Sequence, residues 1–256
     1  MSVTLSISKS SIATIELDRQ SVHNAFDAQT IAKLIETIEY ANTLPIRALV
    51  LKSAGKHFSA GADLAWMKSM ADNDFAKNLA DSKQLAKLMF LLANVAVPTL
   101  CLVQGAAFGG AVGLIACCDI AISTPDAKFC LSEVKLGLIP AVISPYVIKA
   151  MGERQARRYF LTAEVFKANT ALEMGLIHQV SDDLTLCADG ILQAIINNGP
   201  CAVMAAKTLI KEVAGQTIDQ TLTDLTAERI ATIRVSAEGQ EGLSAFFEKR
   251  APSWQN

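Results

Sequence analysis

Apolar residues at every second position, Val3, Leu5 and Ile7, followed across Ser-Lys-Ser-Ser by Ile12, Ile15 and Leu17, predict an antiparallel hairpin at the start of the chain. The period then changes. Ile31, Leu34, Ile35 and Ile38 recur at helical spacing behind Asp27, which has the place and chemistry of an N-cap, and this helix is expected to end near Leu44-Pro45. Ala48 to Leu51 is a short apolar run and reads as a strand. The connection from Lys52 to Asp63, KSAGKHFSAGAD, is rich in small residues and longer than joining a strand to a helix requires. Trp66, Met67 and Met70 form a cluster suited to a core or to the adaptable wall of a pocket, polar residues interrupt it at 72 to 74, and Leu79 to Ala93 predicts a long amphipathic helix.

The densest stretch runs from 98 to 140. Leu100 to Val103 predicts a buried strand that breaks at Gly105 into Gly-Ala-Ala-Phe-Gly-Gly-Ala-Val-Gly before apolar residues resume, a strand, glycine turn and helix. Glycines at 109 and 110 let backbone approach a ligand, and amides at a helix start point outward with partial positive charge, as an oxyanion requires. Glu133 follows among apolar neighbours, either a surface charge at a helix start or a partly desolvated base. Without other support such a turn is more simply a packing device. The glycines at 105, 109, 110 and 113 do not spell the dinucleotide fingerprint, and Ser53-Ala54-Gly55-Lys56-His57 is no phosphate loop, since His57 stands where Ser or Thr would hold magnesium.

Beyond Met151-Gly152, Glu153 to Phe160 predicts a helix whose Arg154, Arg157 and Arg158 form a solvated face, Ala168 to Met174 a short helix stopped by Gly175, and Ile177 to Val180 a last strand. From Leu184 the pattern is helical throughout. Thr217-Ile218-Asp219-Gln220 reads as a capping box ahead of Leu222, Leu225, Ile230 and Ile233 on one face. The organisation is therefore an α/β core over 1–196 and a helical region over 197–256, whose apolar faces need the core or another subunit to pack on.

Composition narrows the function. The 256 residues are 51% apolar with a formal net charge of -2 and no run of like charges, so nucleic acid is an unsuitable main partner. Six cysteines, at 101, 117, 118, 130, 187 and 201, sit among apolar neighbours without metal spacing and read as reduced core residues. Cys117 and Cys118, placed on a strand, would point to opposite faces and share no metal. His23, His57 and His178 lie far apart and read as surface or hydrogen-bonded structural residues. The N-terminus has strand alternation in place of a signal peptide, and no window reaches the about 18 uncharged apolar residues of a membrane span, so a soluble cytoplasmic protein is expected.

Five motifs in order carry a resemblance that covers the whole chain: Phe58-Ser59-Ala60-Gly61-Ala62-Asp63-Leu64, Gly105 to Gly110, Ala116-Cys117-Cys118-Asp119-Ile120, Glu133-Val134-Lys135-Leu136-Gly137-Leu138-Ile139-Pro140, and Ala245-Phe246-Phe247-Glu248-Lys249-Arg250. The chain resembles the enoyl-CoA hydratase/isomerase (crotonase) superfamily. The resemblance implies an α/β spiral of ββα units with a helical C-terminal trimerisation region, trimers or hexamers, and an acyl-CoA thioester substrate of which coenzyme A is part, with no separate cofactor and no metal. By position it implies an oxyanion hole from the Ala62 and Gly110 amides, catalysis by Glu133, and CoA contacts from Lys56, Ser59, Ala60, Asp63, Leu64 and Lys249.

One departure bears on the chemistry. Hydratases of the family carry a second glutamate in the helix after the glycine turn, and Gly113 stands there. The bulk of Ala141-Val142-Ile143-Ser144-Pro145-Tyr146, with Phe129 to Val134, resembles bacterial 3-methylglutaconyl-CoA and γ-carboxygeranoyl-CoA hydratases of leucine and isoprenoid breakdown. The resemblance thus implies a hydratase of a branched enoyl-CoA, with or without a distal carboxylate. The alternatives are an isomerase using Glu133 as a single proton shuttle and a non-catalytic acyl-CoA-binding protein.

Overall fold

The computed structural model describes residues 2–70 and 72–255. The hairpin forms as β1 (Val3–Ile7) and β2 (Ile12–Leu17), antiparallel with Val3 opposite Leu17. α1 (Ala28–Ala41) starts where the Asp27 carboxylate accepts the Thr30 N–H at 2.8 Å, a cap worth about 1 kcal/mol. It ends ahead of Pro45, whose ring disfavours helix in the residue before it. β3 (Ala48–Ser53) leads through the small-residue loop to α2 (Leu64–Met70). α3 (Phe75–Ala93) starts a turn earlier than its apolar period indicates, because Asp74 caps it through the Lys77 N–H at 2.9 Å.

β4 (Thr99–Val103) is followed by a short strand, β5 (Ala106–Phe108), that periodicity did not separate from the glycine turn, and then by α4 (Gly110–Cys117). β6 (Ile120–Ser123), β7 (Lys128–Cys130) and a 3-10 turn over Glu133–Leu136 repeat the arrangement and lead into α5 (Ser144–Met151). α6 (Glu153–Thr162), β8 (Phe166–Lys167), α7 (Ala168–Glu173) and β9 (Gln179–Val180) complete the sheets, and α8 (Leu184–Ile196), α9 (Pro200–Val213), α10 (Gln220–Val235) and α11 (Ala237–Glu248) follow. Two expectations are corrected. Cys117 closes helix α4 and does not lie on a strand, and α10 is capped by Asp219 through the Leu222 N–H at 2.9 Å, not by Thr217. Burial pushes the Cys101 and Cys117 thiols well up, as suits reduced core residues, and no metal-holding cluster occurs among the described residues.

The main sheet runs β1-β2-β3-β4-β6-β9, parallel beyond the hairpin, and the second runs β5-β7-β8. Consecutive strands β4 and β5 therefore belong to different sheets, and so do β6 and β7; each strand pair followed by a helix or turn is one ββα step. The strands are apolar on both faces because both are covered: Ile15, Leu49, Leu51, Cys101 and Val103 join the cluster with α1, α3 and α4, while Val50, Leu100, Leu102 and Ile122 meet Ala188 and Leu192 of α8. Asp119, just before β6, accepts the Thr99 N–H at 2.7 Å and Lys207 Nζ of α9, tying a helix of the C-terminal region to the sheet.

That region is otherwise thinly packed. None of the residues of α10 is buried, Ile218, Val235, Phe246 and Phe247 are exposed, and a cavity of about 250 Å³ between α9, α11 and Trp254 is lined by Ile233 and Leu243. No helix among the described residues is long and apolar enough to cross a membrane.

Candidate active site

The small-residue loop is held from three sides. Buried Asn24 donates through Nδ2 to the carbonyls of Ala54 and His57, both at 2.8 Å, and Gln104 donates to the carbonyls of Ser53 and Gly55 at 2.8 and 3.1 Å. Neither residue stood out in the sequence, since an isolated amide side chain has no local signature. The loop also pairs with two neighbours as single parallel bridges, Ser59 with Ala107 and Phe26 with Ala62. In the second bridge Phe26 takes both hydrogen bonds, its N–H donating to the Gly61 carbonyl at 2.7 Å and its carbonyl accepting the Asp63 N–H at 2.7 Å. The N–H of Ala62 consequently points away from Phe26 and meets no acceptor among the described residues.

Gly109 and Gly110 lie beside it. An ideal Cβ on Gly61 would come within 2.9 Å of the Phe108 carbonyl and 3.9 Å of the Gly109 nitrogen, so the loop and the turn are in direct apposition. Gly109 adopts φ 54°, its N–H donates to the Cys130 carbonyl at 2.8 Å, and the chain enters α4 with the N–H of Gly110 unpaired among the described residues, as at any helix start. The loop bearing Ala62 and the turn bearing Gly110 are thus adjacent, and each carries an amide without a protein acceptor among the described residues.

Glu133 closes the third side. A Cβ on Gly109 would stand 3.3 Å from Glu133 Oε1, so the missing side chain opens the space that this carboxylate enters. Glu133 opens the 3-10 turn after β7 and does not cap it; Ser132 is the residue at the cap position. It is half-buried, and its Oε2 is buried without a hydrogen-bond partner among the described residues. Burial pushes the carboxyl up from its ordinary value, opposed by a backbone hydrogen bond. A partly desolvated carboxylate with one unpaired oxygen, next to the glycine turn, can take a proton from a bound molecule whose neighbouring oxygen free backbone amides stabilise.

Gly113 brings no polar group to this place. Its side-chain position is taken by Ile143 of the loop before α5: an ideal Cβ would lie 2.2 Å from Ile143 Cγ2 and 3.2 Å from Met89 Cε. Both neighbours are buried, so the surroundings of Gly113 are apolar.

The remaining predicted residues divide by exposure. Lys56 and Ala60 are exposed at the rim, and Leu64 is 79% exposed. Ser59 is fully buried, and its Oγ accepts the Gly61 N–H at 3.1 Å, so its side chain shapes the loop. The Asp63 carboxylate accepts the Ala65 and Trp66 N–H groups at the start of α2 and lies 3.4 Å from Arg19, which also pairs with Asp27 at 2.7 Å. Lys249 sits in the left-handed position after α11, exposed, and no hydrogen bond or ion pair joins it to the Lys56 loop among the described residues.

The family model of enoyl-CoA hydratase/isomerase matches residues 8–256. A solved structure described as an enoyl-CoA hydratase from Shewanella pealeana is 52% identical, with a TM-score of 0.97 over 99% of this chain and 96% of that one. A crotonyl-CoA hydratase of Syntrophomonas wolfei is 28% identical, covering 93% of this chain and 92% of its own. A mitochondrial Δ(3,5)-Δ(2,4)-dienoyl-CoA isomerase of Dictyostelium discoideum is 30% identical over 94% of this chain and 86% of its own. A family-model match running nearly from end to end, with relatives and solved structures alike over almost the whole chain, places it in the enoyl-CoA hydratase/isomerase family.

Proposed function

We propose that the protein is an enoyl-CoA hydratase that works with one carboxylate, Glu133, and that its substrate is a branched enoyl-CoA of the 3-methylglutaconyl type. The observation that carries this reading is the unpaired Glu133 Oε2, buried at the turn whose Gly110 amide, with that of Ala62, is free. The two amides receive the thioester oxygen. Water held by Glu133 attacks C3 as its proton passes to the carboxylate, the electron pair of C2=C3 moves into the thioester, and the amides stabilise the enolate oxygen. Glu133 then returns the proton to C2. Because one group handles both ends, hydrogen and hydroxyl arrive on the same face of the double bond. The raised proton affinity of Glu133 suits both halves of this cycle.

Lys56 at the loop rim suits a CoA phosphate, which a lysine meets as a flexible point charge. Lys249, exposed after α11 and joined to the Lys56 loop by no hydrogen bond or ion pair among the described residues, suits the CoA of a neighbouring subunit. The uncovered faces of α10 and α11 support a trimer or hexamer. Light scattering at micromolar concentration is expected to give such a mass, and a monomer would contradict the assembly.

A second reading, the single-base isomerase, is favoured by Ile143, which with Met89 fills the side-chain position of Gly113 and leaves no room there for a second carboxylate. Incubating the protein with crotonyl-CoA, 3-methylglutaconyl-CoA and a 3-enoyl-CoA in oxygen-18 water separates these readings. Label at C3 of the product is the expected result, most rapidly from the branched substrate. A shifted double bond without label makes the protein an isomerase, and binding without turnover of any of the three makes it a silent acyl-CoA binder.

A further inference from the structure

The loop that bears Ala62 and the strand that delivers Gly110 are joined by an irregular contact. In a regular parallel ladder continuing from the Ser59–Ala107 bridge, the Ala106 N–H would donate to the His57 carbonyl. That carbonyl is already engaged by Asn24 Nδ2 at 2.8 Å and Ser53 Oγ at 3.2 Å. The Ala106 N–H donates to the imidazole Nδ1 of His57 instead, at 3.1 Å. The ring nitrogen therefore stands in for a backbone acceptor, between the ladder bonds Phe58 N–H to Gln104 (2.8 Å) and Ser59 N–H to Ala106 (3.0 Å). The fit is close. Gly105 turns at φ 60°, and a Cβ there would fall 2.6 Å from His57 Nδ1 and 2.1 Å from the Lys56 carbonyl.

We propose that His57 is a positioning residue, whose neutral imidazole clamps the two halves of the oxyanion site together and whose protonation releases them. An imidazolium has no acceptor, so its Nδ1–H would face the Ala106 N–H, donor against donor. The surroundings hold the neutral form. The His23 ring packs edge-on at 5.1 Å, and burial, then His23 and Lys56, lower the proton affinity of His57; Lys128 of β7 adds to this and Asp126 opposes it. With the folded value below the unfolded one, the stability that the clamp contributes is present above the unfolded imidazole pKa and is lost as pH falls through it towards the folded value.

This inference rests on the oxyanion role proposed for Ala62 and Gly110, and the test separates the two. The probe is an aryl-conjugated enoyl-CoA, whose absorption moves to longer wavelength when its thioester oxygen is polarised. Its shift is the decisive pH readout, because Glu133 gives the rate an acid limb of its own. Wild type should shift the band at neutral pH and progressively lose the shift under acid. His57→Phe, which keeps a ring without an acceptor, should lose most of the shift and about tenfold in kcat, with little change in KM. His57→Asn places an amide oxygen near Nδ1 and should restore the shift and extend it to lower pH. A wild-type shift in His57→Phe, or an unchanged acid loss in His57→Asn, overturns the clamp. If His57→Phe fails to fold, nitrogen NMR of wild type decides: a protonated Nδ1 at neutral pH overturns it. Absence of any shift in wild type defeats the oxyanion role itself, and the clamp's function with it.

Discussion

Glu133→Gln should abolish most turnover, by about 10² to 10⁴-fold as expected for loss of general acid–base work, and should leave CoA affinity intact. The same change should stabilise the protein at neutral pH. A half-buried carboxylate with an unpaired oxygen is costly when charged, and a neutral amide of the same shape costs less. Discounted for its partial exposure, the gain should be about 1 kcal/mol. The sign follows from the raised folded pKa. The charge penalty is complete above the folded value and vanishes as pH falls below the unfolded one, near about 4. Denaturation of both proteins at pH 7 and at pH 4, beside a steady-state assay at pH 7, checks this. Wild-type turnover in the variant would give Glu133 a purely structural role, and an equal stability difference at the two pH values would remove the charge penalty.

Gly113→Glu, which supplies the carboxylate found at this position in two-acid hydratases, should damage the protein and gain no activity. A side chain there starts 2.2 Å from Ile143 Cγ2, in a helix and a loop that are both buried. Overpacking alone costs about 1–3 kcal/mol, and burying a carboxylate against Ile143 and Met89 adds to it. A loss of about 3 kcal/mol or more is expected, which for a chain of this size lowers Tm by roughly 10 °C. Combining it with Ile143→Gly empties the obstructing space and should recover part of the loss. A single variant with wild-type Tm and faster hydration would show that α5 moves aside, and a double variant no more stable than the single one would place the obstruction elsewhere.

Much of the scaffold was legible in the pattern of residues, for a physical reason. Period and capping chemistry are local: Val3 to Leu17 could satisfy a half-buried hairpin, and Asp27 had an acceptor at the distance where α1 leaves a free N–H. The small-residue loop, the glycine turn and the lone Glu133 were legible on the same basis, since backbone approach needs glycine and an acid among apolar residues is costly unless used. The errors were local as well. The apolar residues that resume after the glycine turn predict a helix, but no stop signal marks where it gives way to the next strand, and α4 runs on through Cys117 with Cys118 at its C-cap.

What the linear order of residues could not convey is which distant group occupies which space. That Ile143 fills the place beside Gly113, 30 positions away, depends on how α4 meets α5. That Ser59 and Asp63 hold the loop while Ala62 offers its N–H depends on the bridges to Ala107 and Phe26. And that His57 serves as a backbone acceptor for Ala106 follows only once Asn24 has taken its carbonyl. Periodicity reports which face of an element is buried; the partner on that face is chosen by packing between elements far apart in the chain, where volume and hydrogen-bond competition decide.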